Sequence, residues 1–170
     1  MSPELALVRH FLGAIAYRAQ KALRDAPSAY AEFSAGRQLR TPVEILRHMT
    51  SLLGYVRTFY VGGTYPMKPE PLPDFDAEIA RFHDMLEDVG RLLESGERPG
   101  TLTYAQLMQG PLADLMTHVG QLALLRRLSG SPVPPENFIH ADVSADRLGM
   151  SQPLPARPDD HWPEAPTPLK

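Results

Sequence analysis

Apolar residues recur along the chain at alternating spacings of three and four. Leu5, Val8, Leu12, Ile15, Ala19 and Ala22 form one such stripe. This predicts an amphipathic helix that opens on Ser2 and Pro3 and ends near Asp25, ahead of Pro27. Thr41, Pro42 and Glu44 mark a second start: a cap, a proline in the first position and the acidic partner of a capping box. Two stripes follow, Ile45, His48, Leu52, Tyr55 and Phe59 beside Leu46, Met49, Leu53, Val56 and Tyr60, which places His48 on a core-facing surface. Gly62 and Gly63 end this helix. Asp74 caps a third, in which Phe75, Ile79, Phe82, Leu86, Val89 and Leu93 keep the pattern up to Gly96. The charged run on its other side, from Asp76 and Glu78 through Arg81 and Asp84 to Arg91, reads as a solvated face.

Residues 102–108 suit a helical turn. Gly110-Pro111 then breaks the chain, and Pro111 is expected to open a fourth helix that runs to Gly130. Leu112, Leu115, Val119, Leu122, Leu124, Leu125 and Leu128 surround this helix almost completely. No alternating run bounded by turns signals a strand. The fold expected is all-α, a four-helix bundle over residues 1–150 with a Pro-rich C-terminal extension over 151–170. Nine of the 18 prolines fall between Pro132 and Pro168, so this part of the chain should be extended apart from a short helix over 142–148.

A chain of 170 residues can bury a core without disulfides, and this one has no cysteine. Any metal must therefore be held by nitrogen and oxygen. The net charge of −3 gives no electrostatic footprint for nucleic acid. No run is long and apolar enough for a membrane span, and the N-terminus makes a poor signal peptide, so a cytoplasmic location is expected.

Residues four apart on a helix share one face, so Asp114 and His118 can chelate one ion, and Gln121 continues their stripe. His48 on another helix would supply a third ligand, as inward side chains do in bundle cores. Three protein ligands leave positions open for chemistry. Plainer readings stand beside this one. His48 can be a core histidine bonded to a nearby acceptor, and Asp114 and His118 can pair only with each other. His10, His83, His140 and His161 read as surface residues.

The segments TPVEILRHM, GPLADLMTHVGQLALLRRLSG and ENFIHADVSADRLG resemble the DinB/YfiT-like superfamily of bacterial four-helix-bundle metalloproteins. The resemblance runs from the first helix to about Gly149. It implies metal ligands at His48 and at His118, with Gly120 and Gln121 following as in the family. The first ligand of the last-helix pair falls on Asp114, where the family has histidine. Two histidines and a carboxylate are compatible with zinc or with non-haem iron. The cofactor expected is a divalent first-row transition ion, whether zinc, nickel or iron.

Relatives in this superfamily include thiol-dependent transferases and isomerases. The resemblance thus implies a thiol S-transferase-type enzyme, whose partners are a small-molecule electrophile and a low-molecular-weight thiol such as bacillithiol, mycothiol or glutathione. A metal-dependent hydrolase or isomerase using bound water is the alternative, with Glu44 as a conceivable proton acceptor beside its capping role. A non-enzymatic stress-response binder is a third. The apolar circumference of the last helix also suggests a homodimer.

Overall fold

In a computed structural model, which describes residues 1–159, the chain forms four long helices and, among the described residues, no strand. They are α1 (Pro3–Leu23), α2 (Pro42–Val61), α3 (Phe75–Glu94) and α5 (Ala113–Leu128), with a one-turn α4 (Tyr104–Leu107) ahead of the last. The starts follow the chemistry expected of them. The Ser2 hydroxyl accepts from the Leu5 amide, Asp74 caps α3 through the Ala77 amide, and Thr41 and Glu44 form the reciprocal capping box. The α1 stripe is buried throughout, as is the α3 stripe from Ile79 to Leu93.

Ion pairs reveal the direction of the helices. Arg47 meets Glu78 near the starts of α2 and α3, and Arg57 meets Asp88 further along both, each pair 2.6 Å apart. These neighbours are therefore parallel. Arg9 near the start of α1 meets Glu94 at the end of α3, so that pair is antiparallel. Arg126 at the end of α5 donates to the Ala22 and Arg24 carbonyls at the end of α1, so α1 and α5 are parallel. Around the bundle the order is α1, α3, α2, α5.

Parallel neighbours cannot be joined by a tight turn. α2 has 20 residues and is about 30 Å long. The thirteen residues 62–74 must return over that length, and an extended chain at about 3.3 Å per residue can do so. Pro66, Pro69, Pro71 and Pro73 favour such an extended run. The crossover is pinned as it goes. The Tyr65 ring lies where a side chain at Gly54 would strike it, and the Ser51 hydroxyl donates to the Pro66 carbonyl at 2.8 Å. At its far end the Leu72 amide donates to Glu78.

Glu78 is thus no member of a solvated face. Its side chain is fully buried, and it takes Arg47, Arg81 and the Leu72 amide as partners. His83 is likewise not a surface residue, being 1% exposed. Its Nδ1 donates to the Leu148 carbonyl at 2.7 Å, and its Nε2 faces the Gln20 side-chain amide at 3.0 Å. Both expectations failed for one reason: later chain covers the helix faces that solvent was expected to cover. His10 and His140 are exposed as expected, and His161 lies outside the described residues.

The covering chain comes after α5. Residues 142–148 form no helix; a 3₁₀ turn at Phe138–His140 is the one regular piece there. Leu148 is buried against α3 at Gly90, where any side chain would collide with it. The buried Gln152 donates to the Arg147 and Gly149 carbonyls, and an isolated bridge ties Glu136 to Pro158. The two α2 stripes also differ. Leu46, Met49, Leu53 and Val56 are fully buried, whereas the stripe containing His48 is a flank with Tyr55 exposed. No described helix is long and apolar enough to cross a membrane.

Two outcomes test this arrangement. Replacing Glu78 with alanine leaves two guanidinium groups unpaired at a half-buried seam, and urea unfolding should show a loss of about 3 kcal/mol. Burial holds the His83 pKa below its ordinary 6.5, against the Leu148 carbonyl and the nearby Glu87 and Asp84 charges, which raise it. As pH falls from 6.5 toward the folded-state value, the unfolded chain takes up a proton that the folded chain refuses, and stability drops. Urea midpoints measured from pH 7.5 downward should show this fall, with a shallower slope in His83→Asn whatever its absolute stability.

Candidate metal centre

Helices α2 and α5 are neighbours, and three potential ligands meet between them. His48 lies in the second turn of α2, while Asp114 and His118 lie in successive turns of α5. The Nε2 atom of His118 is 3.3 Å from one Asp114 carboxylate oxygen, and that of His48 is 4.0 Å from the other. The two imidazole rings meet edge to face at 4.8 Å between centroids. One ligand atom from each residue lies within 4.8 Å of the others.

The start of α5 is not where the sequence suggested. Pro111 does not open the helix. The chain from α4 continues through a π-type turn, Met108–Leu112, with Gly110 at φ −94°, ψ −108°, and α5 begins at Ala113. Pro111 has no amide hydrogen to give, and its ring would clash with the carbonyl one turn back in a regular helix. The wider turn and the non-helical Gly110 accommodate both effects. Asp114 consequently sits in the first turn of α5, just beyond the kink, a place where such turns often adjoin functional sites.

The site is graded from dry to wet. The His118 side chain is 8% exposed, that of His48 25% and that of Asp114 47%. His118 is held by Gln121, whose side-chain oxygen is 2.9 Å from Nδ1. An amide oxygen only accepts, so Nδ1 carries the proton and Nε2 presents a lone pair. That Nε2 is buried and has no hydrogen-bond partner. Asp114 is near enough to pair with it, but not in hydrogen-bonding geometry. A lone pair facing a carboxylate oxygen at 3.3 Å is repulsive unless a cation lies between them.

A second proton on His118 would be one such cation, and a metal ion is another. The metal fits the donor set better. Two imidazoles and a carboxylate are ligands for a divalent transition ion, and Gln121 supplies the outer hydrogen bond that metal-bound histidines usually have. Donor atoms around a tetrahedral ion stand about 3.4 Å apart, close to the separation of Asp114 and His118. No hydrogen bond holds the His48 ring among the described residues. Burial, chiefly, together with the charges of Arg40 and His118, pulls the His48 pKa down against the pull of Asp114, which favours the neutral ring that a metal requires.

The structure therefore brings together all three residues read as ligands, and a metal ion could be held there. Glu44 remains in its capping box, exposed, with its carboxylate on the Thr41 amide at 2.8 Å. Two contributors were not seen in the sequence in these roles. Gln121 sets the tautomer of His118, a role its i,i+3 spacing permits. Arg40 adds charge next to His48, and its place just before the α2 cap was the signal for it. No family model, curated protein or solved structure matches this chain, so the centre stands on its geometry alone.

Ion binding should raise the melting temperature of metal-free protein by mass action. In a titration followed by calorimetry, Gln121→Ala should weaken the affinity for zinc by roughly tenfold or more, because the His118 ring loses its orienting bond. Unchanged affinity in that variant would show that Nδ1 needs no such partner.

Proposed function

We propose that the chain is a DinB/YfiT-like metal-binding protein, with His48, Asp114 and His118 as ligands, acting as an enzyme of thiol S-transferase type. One observation carries the metal reading: the buried, unpartnered Nε2 of His118, directed at a carboxylate and a second histidine from a separate helix. The resemblance of the α2 and α5 segments to that superfamily supplies the thiol chemistry.

A bound divalent ion lowers the pKa of a coordinated thiol or water, so that a nucleophile exists at neutral pH. The chain's own part is to hold and orient. Gln121 keeps the His118 proton on Nδ1, away from the ligand position. His118 closes the dry side of the centre, while His48 and Asp114 border the side open to solvent, where thiol and electrophile would enter. Arg40 offers positive charge near that opening, which suits a substrate or thiol bearing a carboxylate. The absence of cysteine agrees with a thiol supplied from outside. A second copy of the chain completes this reading by covering the outer face of α5, where Leu124 and Leu128 are each 55% exposed.

The same open centre supports a hydrolase or isomerase that uses bound water, and one assay separates the two. Protein loaded with zinc, nickel or iron(II) is incubated with bacillithiol, mycothiol or glutathione and a panel of electrophiles. Thioether formation that requires added thiol and disappears in His48→Ala is expected. Turnover of hydrolysable substrates without thiol would favour the alternative, and no turnover above the His48→Ala background with any pair would overturn both enzymatic readings.

A further inference from the structure

On the other side of α5, away from the metal centre, a cavity of 230 Å³ lies between α1, α5 and the chain that follows α5. Its walls are mostly apolar and include Met116, Val119, Ala123, Val133 and Pro134. Three charged residues line it: Arg18, Lys21 and Glu136. Two of these charges are already matched. The buried Glu136 carboxylate accepts from the Tyr17 hydroxyl at 2.6 Å and from the Lys21 ammonium at 2.9 Å.

Arg18 is not matched. Its guanidinium carbon sits 3.9 Å from the centroid of the Phe138 ring, so one flat face is stacked. Among the described residues its five N–H donors have no hydrogen-bonded acceptor and no ion-pair partner. It is half-buried, and burial already pulls its pKa below the ordinary value. A stacked guanidinium keeps its N–H edge free, and that edge suits a carboxylate through two parallel hydrogen bonds. The lining charges sum to one positive, which a single carboxylate would neutralise.

We propose that this cavity binds a small carboxylic acid, its carboxylate on Arg18 and its apolar body against the α5 wall. At about 30 Å³ for each water-sized group, the space holds roughly eight non-hydrogen atoms, the size of a short-chain fatty acid or a benzoate. The walls offer little to a larger polar anion. The site is separate from the ion between α2 and α5 and does not depend on the activity proposed for it.

Gly120 lines the cavity, and a side chain built on it would meet nothing within 4 Å. Gly120→Leu therefore fills the space while favouring the helix, which separates loss of the pocket from loss of the fold. The experiment is calorimetric titration of the full chain with sodium benzoate and sodium hexanoate, each compared with its neutral amide. Saturable binding of the acids and not of the amides is expected. Arg18→Met should weaken it by roughly ten- to hundredfold, as for loss of a charge-assisted pair. Gly120→Leu should abolish it, and His48→Ala should leave it unchanged. The proposal is overturned if neither acid binds saturably, if the amides bind as well, if Arg18→Met binds as the parent does, or if binding disappears in His48→Ala, which would assign it to the metal centre.

Discussion

The buried carboxylate of Glu78 is the constraint on which the arrangement of the bundle rests. It joins three parts of the chain that have no other reason to meet at one point: Arg47 of α2, Arg81 of α3 and the Leu72 amide at the end of the crossover. A carboxylate taken fully out of water costs several kcal/mol unless its oxygens are occupied, and here charge-assisted donors occupy both. The result is directional. Apolar stripes alone would let α2 and α3 slide or reverse, whereas one buried acceptor with fixed donors sets their register and their parallel sense. Because α2 is held in this way along α3, its opposite flank is left to face α5, and that flank carries His48.

The helices themselves were largely legible, because their information is local. Caps and stripes at Ser2, Thr41 and Asp74 involve residues within a turn of one another, and the structure places them as the spacing required. Polar residues that depend on distant chain were not legible. Glu78 and His83 sit among charged neighbours on α3, and nothing nearby in sequence says that the crossover and residues 141–152 will cover them. The Pro111 start failed for a related reason. A proline signals either a new helix or a kink within a continuing one, and the choice rests on how the segments from α4 to α5 pack against α1 and α2.

The metal centre was legible to the level of its three ligands and no further. The i,i+4 spacing of Asp114 and His118 is a property of any helix, and a histidine on an apolar stripe marks a second element that can face it. The sequence could not supply the hydrogen-bonding state. That Gln121 fixes the proton on Nδ1, and that Nε2 is then dry and alone, follows only from burial and from distances between α2 and α5. This turns a set of residues that can bind an ion into one that is incomplete without a cation.

The parallel pairing of α2 and α3 also bears on how the bundle forms. In an antiparallel hairpin the contacts nearest the turn close short loops first, and each later contact adds little further entropy cost. Here Arg47–Glu78 and Arg57–Asp88 both join residues 31 apart, so the first contact and the last close loops of the same size. Such a pair has no end from which to zip. The two helices must dock along their length as preformed units, which makes this seam a late and cooperative event and raises the contact order above that of a bundle built from hairpins.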